Sequence, residues 1–205
     1  MSKMIPDLEN YFRGLVPPRD ELLLELEKAA FQENIPIVGP VVGELLFIMA
    51  RVSAVQQILE LGTATGYSTI YLARGSEAAQ GRVLTLEHED RMAQRARLNF
   101  ARAGLDRQID LRVGEAISLM SSLTGPFDLI FMDIDKEGYL EALAHCQRLL
   151  KVGGLLITDN VGFRGALDFN QELFSHPHWR SVQLLSFLPQ HAPETDGLSL
   201  AVRIK

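Results

Sequence analysis

Apolar positions along this chain alternate between two periods. Short apolar-rich runs at 57–61, 82–87, 109–113, 127–133 and 153–159, each closed by Gly, Glu or Asp, read as buried strands. Between them, 67–76, 89–104, 115–121 and 137–150 follow helical spacing. Met92, Ala96, Phe100 and Ala103 make one apolar face, and Tyr139, Ala142, Leu143, Cys146, Leu149 and Leu150 make another. Lys151-Val-Gly-Gly154 is expected to close that last helix, with glycine past its C-terminus. Strand–helix alternation predicts a parallel sheet with helices on both faces. Before it, helices are expected at 7–15, 20–33 and 41–50, interrupted by Gly14, Pro17-Pro18 and the stretch from Pro36 to Pro40. Leu23, Leu26 and Ala30 face inward from the second, and Leu45, Leu46 and Met49 from the third. After it come a helix at 166–174 and strands at 180–187 and 198–204. The link 189–197 is too short for a crossover helix, so the last two strands are expected to be antiparallel neighbours. The whole reads as one domain, 1–205, with a helical lead (1–52) and a strand–helix core (53–205). The lead could cover a ligand site, pack on a second subunit or cap the sheet.

Composition narrows the function classes. The 205 residues are 47% hydrophobic and 22% charged, as in ordinary soluble globular proteins. A net charge of −6 without a Lys/Arg block argues against nucleic acid as a partner. No apolar run reaches the roughly 18–20 residues that span a bilayer, so no membrane role is expected. Met1 to Pro6 lacks the apolar core of a signal peptide. Cys146 is the only cysteine, which excludes an internal disulfide and a thiolate cluster. These features point to a cytoplasmic protein, with Cys146 in the core.

Ligands of open parallel sheets sit beyond the carboxyl ends of the strands, so the polar residues there carry the chemistry. The first strand delivers Glu60 and then Gly62-Thr-Ala-Thr-Gly66-Tyr67-Ser68. A strand passing through such a loop into a helix brings backbone N–H groups and a helix N-terminus against a ligand. Glu87 follows Gly66 by 21 residues, an offset at which a carboxylate can accept both hydroxyls of a ribose. His88 comes next, at the cleft or in solvent. Gly114-Glu-Ala116 after the third strand offers a small residue on which an adenine can lie.

The fourth strand ends Met-Asp133-Ile-Asp135-Lys136 and the fifth ends Thr-Asp159-Asn160. If these strands are neighbours, about 4.8 Å apart, Asp133, Asp159 and Asn160 converge. Two carboxylates and an amide oxygen are hard donors suited to Mg²⁺, Mn²⁺ or Ca²⁺. His176, His178 and His191, in the tail, have no third ligand in sight, and no histidine metal site is expected.

Together the pieces LELGTATGYS (59–68), TLEHED (85–90), GEA (114–116), FDLIFMDIDK (127–136), LLITDN (155–160) and TDGLSLAVR (195–203) resemble the cation-dependent O-methyltransferases of the catechol and caffeoyl-CoA type, within the class I S-adenosylmethionine-dependent fold. The resemblance implies a Rossmann-like α/β fold: a seven-stranded, mostly parallel sheet with helices on both faces and an antiparallel hairpin at its end. It implies that Glu60, Gly62, Thr63, Gly66, Tyr67 and Ser68 hold the methionine end of S-adenosylmethionine. Glu87 and His88 would serve the ribose side, Gly114 and Ala116 the adenine, and Asp133 would border the cofactor as well as the metal. Asp133 and Lys136 would be catalytic, Lys136 as a base or as a fixed charge beside the acceptor hydroxyl. A homodimer is a common state in such families. With about three cation positions left open, a small aromatic acceptor carrying two adjacent hydroxyls would chelate. The chain departs from the family after Asn160, where Val161–Gly165 replaces a longer loop that commonly holds a Trp-Gly pair. Two other classes share some of these features. A nicotinamide oxidoreductase shares the loop and Glu87 but lacks the third glycine. A non-catalytic S-adenosylmethionine-binding protein would have no use for Lys136.

Overall fold

The computed structural model describes residues 3–205; Met1 and Ser2, part of the stretch read for a leader, lie outside the described residues. Three helices lead: α1 (Leu8–Arg13), α2 (Glu21–Glu33) and α3 (Gly39–Val52). Asp20 caps α2 by accepting the N–H of Leu23 at 2.9 Å, and Asn34 ends it in the left-handed region. Pro40 lies inside the first turn of α3, where its missing N–H costs nothing. The prolines that break the pattern therefore also start the next helix, two residues earlier than expected.

The alternating core follows as β1 (Gln57–Leu61), α4 (Tyr67–Ser76), β2 (Arg82–Glu87), α5 (Asp90–Arg102), β3 (Ile109–Val113), α6 (Ala116–Ser122), β4 (Phe127–Met132), α7 (Tyr139–Leu149) and β5 (Leu150–Thr158). α8 (Leu167–Ser175), β6 (Trp179–Phe187) and β7 (Thr195–Arg203) complete it. The seven strands lie in the order β3-β2-β1-β4-β5-β7-β6. The pairs from β3 to β5 are parallel, and β7 runs antiparallel to both β5 and β6. One apolar cluster packs α2, α3 and α4 on one face of the sheet, and a second packs α7 and α8 on the other. Ile58, Leu59 and Leu61 are fully buried, each contributing about 1.5–3 kcal/mol. Leu23, Leu26 and Ala30 are buried as expected, whereas α3 turns Val42, Leu46 and Ala50 fully inward and leaves Leu45 and Met49 half-buried. Cys146 is fully buried, and burial pushes its thiol up to about 12, which leaves it an inert core residue.

One expectation fails locally. Lys151–Gly154 does not form a helix stop, because β5 starts at Leu150, which is already extended. Gly153 takes its positive φ of +83° inside the strand, near a shift of register against β4. Strand pairing claims those glycines before a helix cap can. β7 likewise starts three residues earlier than expected, because Thr195–Gly197 pair with β6.

Candidate functional site

The strand order reverses between β1 and β4, and a cleft of about 460 Å³ opens there beyond the carboxyl ends of the parallel strands. The loop after β1 and the end of β4 touch at its floor. Asp133 donates its N–H to the Leu61 carbonyl at 2.9 Å. Gly62 has φ +93°, and a Cβ there would meet the Asp133 carbonyl oxygen at 2.0 Å. Only glycine lets the chains approach this closely.

Of the residues expected at the site, Gly62, Thr63, Tyr67, Ser68, Glu87, His88, Ala116, Asp133, Lys136, Asp159 and Asn160 line the cleft. Three do not, and support it from behind. Glu60 is fully buried beneath the loop, where its carboxylate accepts Ser68 Oγ at 2.6 Å, Thr69 Oγ1 at 2.5 Å and Thr85 Oγ1 at 2.6 Å. Thr85 stands opposite Glu60 because β1 and β2 pair in that register. Burial raises the Glu60 carboxyl to about 7 against the pull of those hydroxyls. Gly66 takes φ +88° to start α4 and packs against the Phe100 ring. Gly114 donates its N–H to the Glu87 carbonyl and packs on Leu119.

Glu87 is 5% exposed and braces the glycine loop. Its Oε2 accepts the N–H groups of Thr63 at 3.2 Å and Ala64 at 2.7 Å, and its Oε1 accepts that of Glu89 at 2.8 Å. A carboxylate offers about four acceptor sites, so room remains for a ligand hydroxyl. The loop amides that a pyrophosphate would need already face this carboxylate, which disfavours a nicotinamide dinucleotide. The helical lead closes the cleft from above: Ile35, Pro36, Ile37 and Val38 line it. Tyr67 donates its hydroxyl to Glu27 of α2 at 2.6 Å, and Arg19 grips the same carboxylate through Nε and Nη2, each at 2.9 Å. Burial and Glu27 hold the Tyr67 phenol above its usual range, so it acts as a donor.

At the other end Asp133, Asp159 and Asn160 lie on adjacent strand ends, since β4 and β5 are paired. Burial and the charge of Asp159 raise the Asp133 carboxyl, with Lys136 opposing. Lys136 Nζ sits 3.1 Å from Asp133 Oδ1 and 5.8 Å from the ring centroids of both Tyr139 and Phe163. Phe163 comes from the short segment between β5 and α8. Among the described residues no three His, Cys, Asp or Glu side chains converge as a metal cluster. The donor set here is two carboxylates and one amide oxygen.

His191 and Asp196 are the residues that sequence reasoning missed. His191 Nε2 lies 2.9 Å from Asp159 Oδ2, and its Nδ1 lies 2.6 Å from the Pro193 carbonyl. Both partners can accept, so both ring nitrogens are placed to donate. Burial works to lower the His191 pKa, but Asp159 and the Pro193 carbonyl outweigh it and the net shift is upward. Asp196 accepts Asn160 Nδ2 at 2.6 Å together with the backbone N–H of Gly162 and Gly197. The antiparallel return was the available signal: β7 running against β5 brings its first residues and those just before it to the carboxyl end of β5.

A seven-stranded sheet with a reversed last strand, and an acid-lined cleft at its switch point, define the class I methyltransferase fold. The chain belongs to the O-methyltransferase family, which matches residues 17–185. It is 36% identical to the catechol O-methyltransferase of Niastella koreensis, over 98% of each protein. Among solved structures, the O-methyltransferase TomG of Streptomyces achromogenes, crystallised with SAM, superposes with a TM-score of 0.86 at 28% identity, covering 97% of this chain and 96% of that one. An O-methyltransferase of Bacillus cereus in complex with SAH gives 0.85 at 29% identity over 96% of both chains. The chain is thus an O-methyltransferase, and the oxidoreductase and non-catalytic alternatives fall away.

Proposed function

We propose that this protein transfers a methyl group from S-adenosylmethionine to a hydroxyl of a small catechol-like aromatic, with the help of a divalent cation. The observation that carries the reading is the charge of the cleft. Glu87, Glu89, Glu115, Asp133, Asp135 and Asp159 line it against Lys136, His88 and His191. Such a cavity suits a sulfonium and a metal ion, not a phosphate. A half-buried carboxylate, Asp133, and a buried one, Asp159, beside the amide oxygen of Asn160 fit Mg²⁺, Mn²⁺ or Ca²⁺.

When bound, S-adenosylmethionine supplies the methyl group, and a divalent cation makes an acceptor hydroxyl more acidic. The chain's own groups do the rest. Glu87 keeps a lone pair for a ribose hydroxyl while it fixes the loop, and Ala116 leaves space for a flat ring. Ser68, tied to Glu60, and Tyr67, tied to Glu27, hold the methionine end. Asp133, Asp159 and Asn160 hold the cation. Lys136, 3.1 Å from Asp133 Oδ1, would hold or take the proton of the acceptor hydroxyl. Ile35–Val38 exclude water from above. Positioning two reactants in line is worth about 7–11 kcal/mol, and two chelating oxygens achieve it better than one.

Residues 1–205 act as one unit in this reading, in the cytoplasm. No described helix is long and apolar enough to cross a membrane. Exposed Tyr11, Phe12 and Leu15 around α1 offer a second copy apolar surface for a homodimer. The test is methyl transfer to a catechol and to its monohydroxy analogue, with and without chelator. The catechol should win by at least about tenfold in kcat/KM, or 1.4 kcal/mol, and chelator should abolish turnover. Full activity in chelator, or equal rates for the pair, would reassign the metal.

A further inference from the structure

We propose that the β6–β7 connection and the start of β7 are the supporting shell of the cation-binding rim: His191, in the connection, sets the orientation of Asp159, and Asp196, the second residue of β7, turns the amide oxygen of Asn160 toward the cleft. The inference rests on the metal reading above and assigns two positioning residues to it.

The geometry at Asp196 leaves little choice. Its carboxylate accepts three N–H groups: Gly162 N at 3.1 Å and Gly197 N at 2.6 Å on Oδ1, and Asn160 Nδ2 at 2.6 Å on Oδ2. A carboxylate can only accept, so the NH₂ of Asn160 must face it. The Asn160 oxygen is then the end left for the cleft. Asn160 itself has φ +51°, so its backbone is as constrained as its side chain. Asp159 is held in parallel. Its Oδ1 accepts Asn160 N at 2.8 Å, and His191 Nε2 approaches both carboxylate oxygens, at 3.1 and 2.9 Å.

His191 is itself anchored. Its Nδ1 donates to Pro193 O. A Cβ on Gly39 would meet the Gln190 carbonyl oxygen at 2.8 Å, so α3 presses on this stretch. Arg19 reaches Gln190 at 3.3 Å, and Arg13 pairs with Glu194. The helical lead therefore holds the connection that holds the ligands.

The alternative is that these contacts merely close the hairpin. Isosteric variants separate the two. In Asp196→Asn, the backbone N–H groups of Gly162 and Gly197 keep the new side chain's oxygen. Its NH₂ then faces Asn160, which must turn over and present NH₂ to the cation. Mn²⁺ affinity, read by calorimetry and by the Mn²⁺ spin-resonance signal, should fall about 10–100-fold, the usual effect of removing such a partner. S-adenosylhomocysteine affinity and the melting curve should stay close to wild type. His191→Leu should lose Mn²⁺ affinity to a similar degree, while His191→Gln, which keeps an N–H donor, should recover most of it. Wild-type Mn²⁺ affinity in both Asp196→Asn and His191→Leu overturns the inference while leaving the metal reading intact. A wild-type protein that binds no divalent cation overturns both.

Discussion

Around the glycine loop, the groups that hold one another come from a 28-residue stretch: Glu60, Ser68, Thr69, Thr85 and Glu87. Their partners are neighbouring strands, the first turn of α4 and loop amides. At the other end of the same cleft, Asp159 is held by His191, 32 residues on, and Asn160 by Asp196, 36 residues on. The cofactor half is mostly a local motif, with Tyr67 tied to Glu27 of α2 as its one long-range side-chain tie named above. The half proposed to hold the cation and the acceptor is assembled by the return of the chain and by the helical lead. A local motif is carried intact by any sequence that keeps the strand–loop–helix unit. An assembled half changes whenever a connection changes length. That contrast gives a physical reason for similar cofactor sites to accompany different acceptors.

The contrast is sharpest in Asp159→Ala. It removes one of the three proposed oxygen donors and leaves the buried His191 without its carboxylate partner. Turnover should fall by about 10³ or more, since a cation's charge stabilisation is worth several kcal/mol. Calorimetry should show S-adenosylhomocysteine affinity nearly unchanged, because nothing around Glu60 or Glu87 is touched. Loss of cofactor affinity in the same variant would mean that the halves are not independent.

They do meet at one point, and Gly62→Ala attacks it. The new Cβ faces the Asp133 carbonyl at 2.0 Å, at φ +93°. Strain of this kind costs about 1–3 kcal/mol and overpacking a similar amount. A total near 3 kcal/mol corresponds to a Tm drop of roughly 6–12 °C for a chain of this size. Unlike Asp159→Ala, this variant should weaken cofactor and cation together, measured by calorimetry on the same sample. Wild-type stability would show that the loop and β4 can separate without cost.

The same contrast decided what was legible. Strand–helix rhythm located the first five strands, and the pairing of the last two, read from the tail, followed from the length of one link. Glu87, Asp133, Lys136, Asp159 and Asn160 were legible because each closes or follows an apolar strand and the sheet order brings the strand ends together. Glu60 was visible as part of the motif but not as its buried brace; that depended on the register placing Thr85 opposite it. His191 stood in a link with no periodicity, and its partner is set by the β5–β7 pairing rather than by neighbours in sequence. The glycines at 153 and 154 misled because a helix stop and a strand irregularity use the same residue.

The smallest effect tests the cofactor half alone, through Glu60. Its carboxyl is raised from 4.5 to about 7 by burial, with three hydroxyls opposing. Between those two values the folded protein holds a proton that the unfolded chain has already released. Stability must therefore fall as pH rises through that window, and be flat in this respect above it. Asp133 is shifted in the same direction, so wild-type behaviour alone would mix the two. Glu60→Gln separates them. The amide keeps an acceptor for two of the hydroxyls, and Ser68 can rotate to accept from the NH₂, so the variant should fold. Denaturant titrations of both proteins from pH 5 to 8 should show the wild-type advantage over Gln shrinking by about 1 kcal/mol per pH unit up to about pH 7 and then levelling. Cation binding to the Gln variant should change little, since Glu60 accepts only the three hydroxyls and feels Asp133 through charge as the smallest of its causes. A constant difference across the range would mean that the hydroxyl cage keeps Glu60 ionised throughout. The glycine loop would then rest on a fixed charge rather than on a carboxyl poised near neutrality.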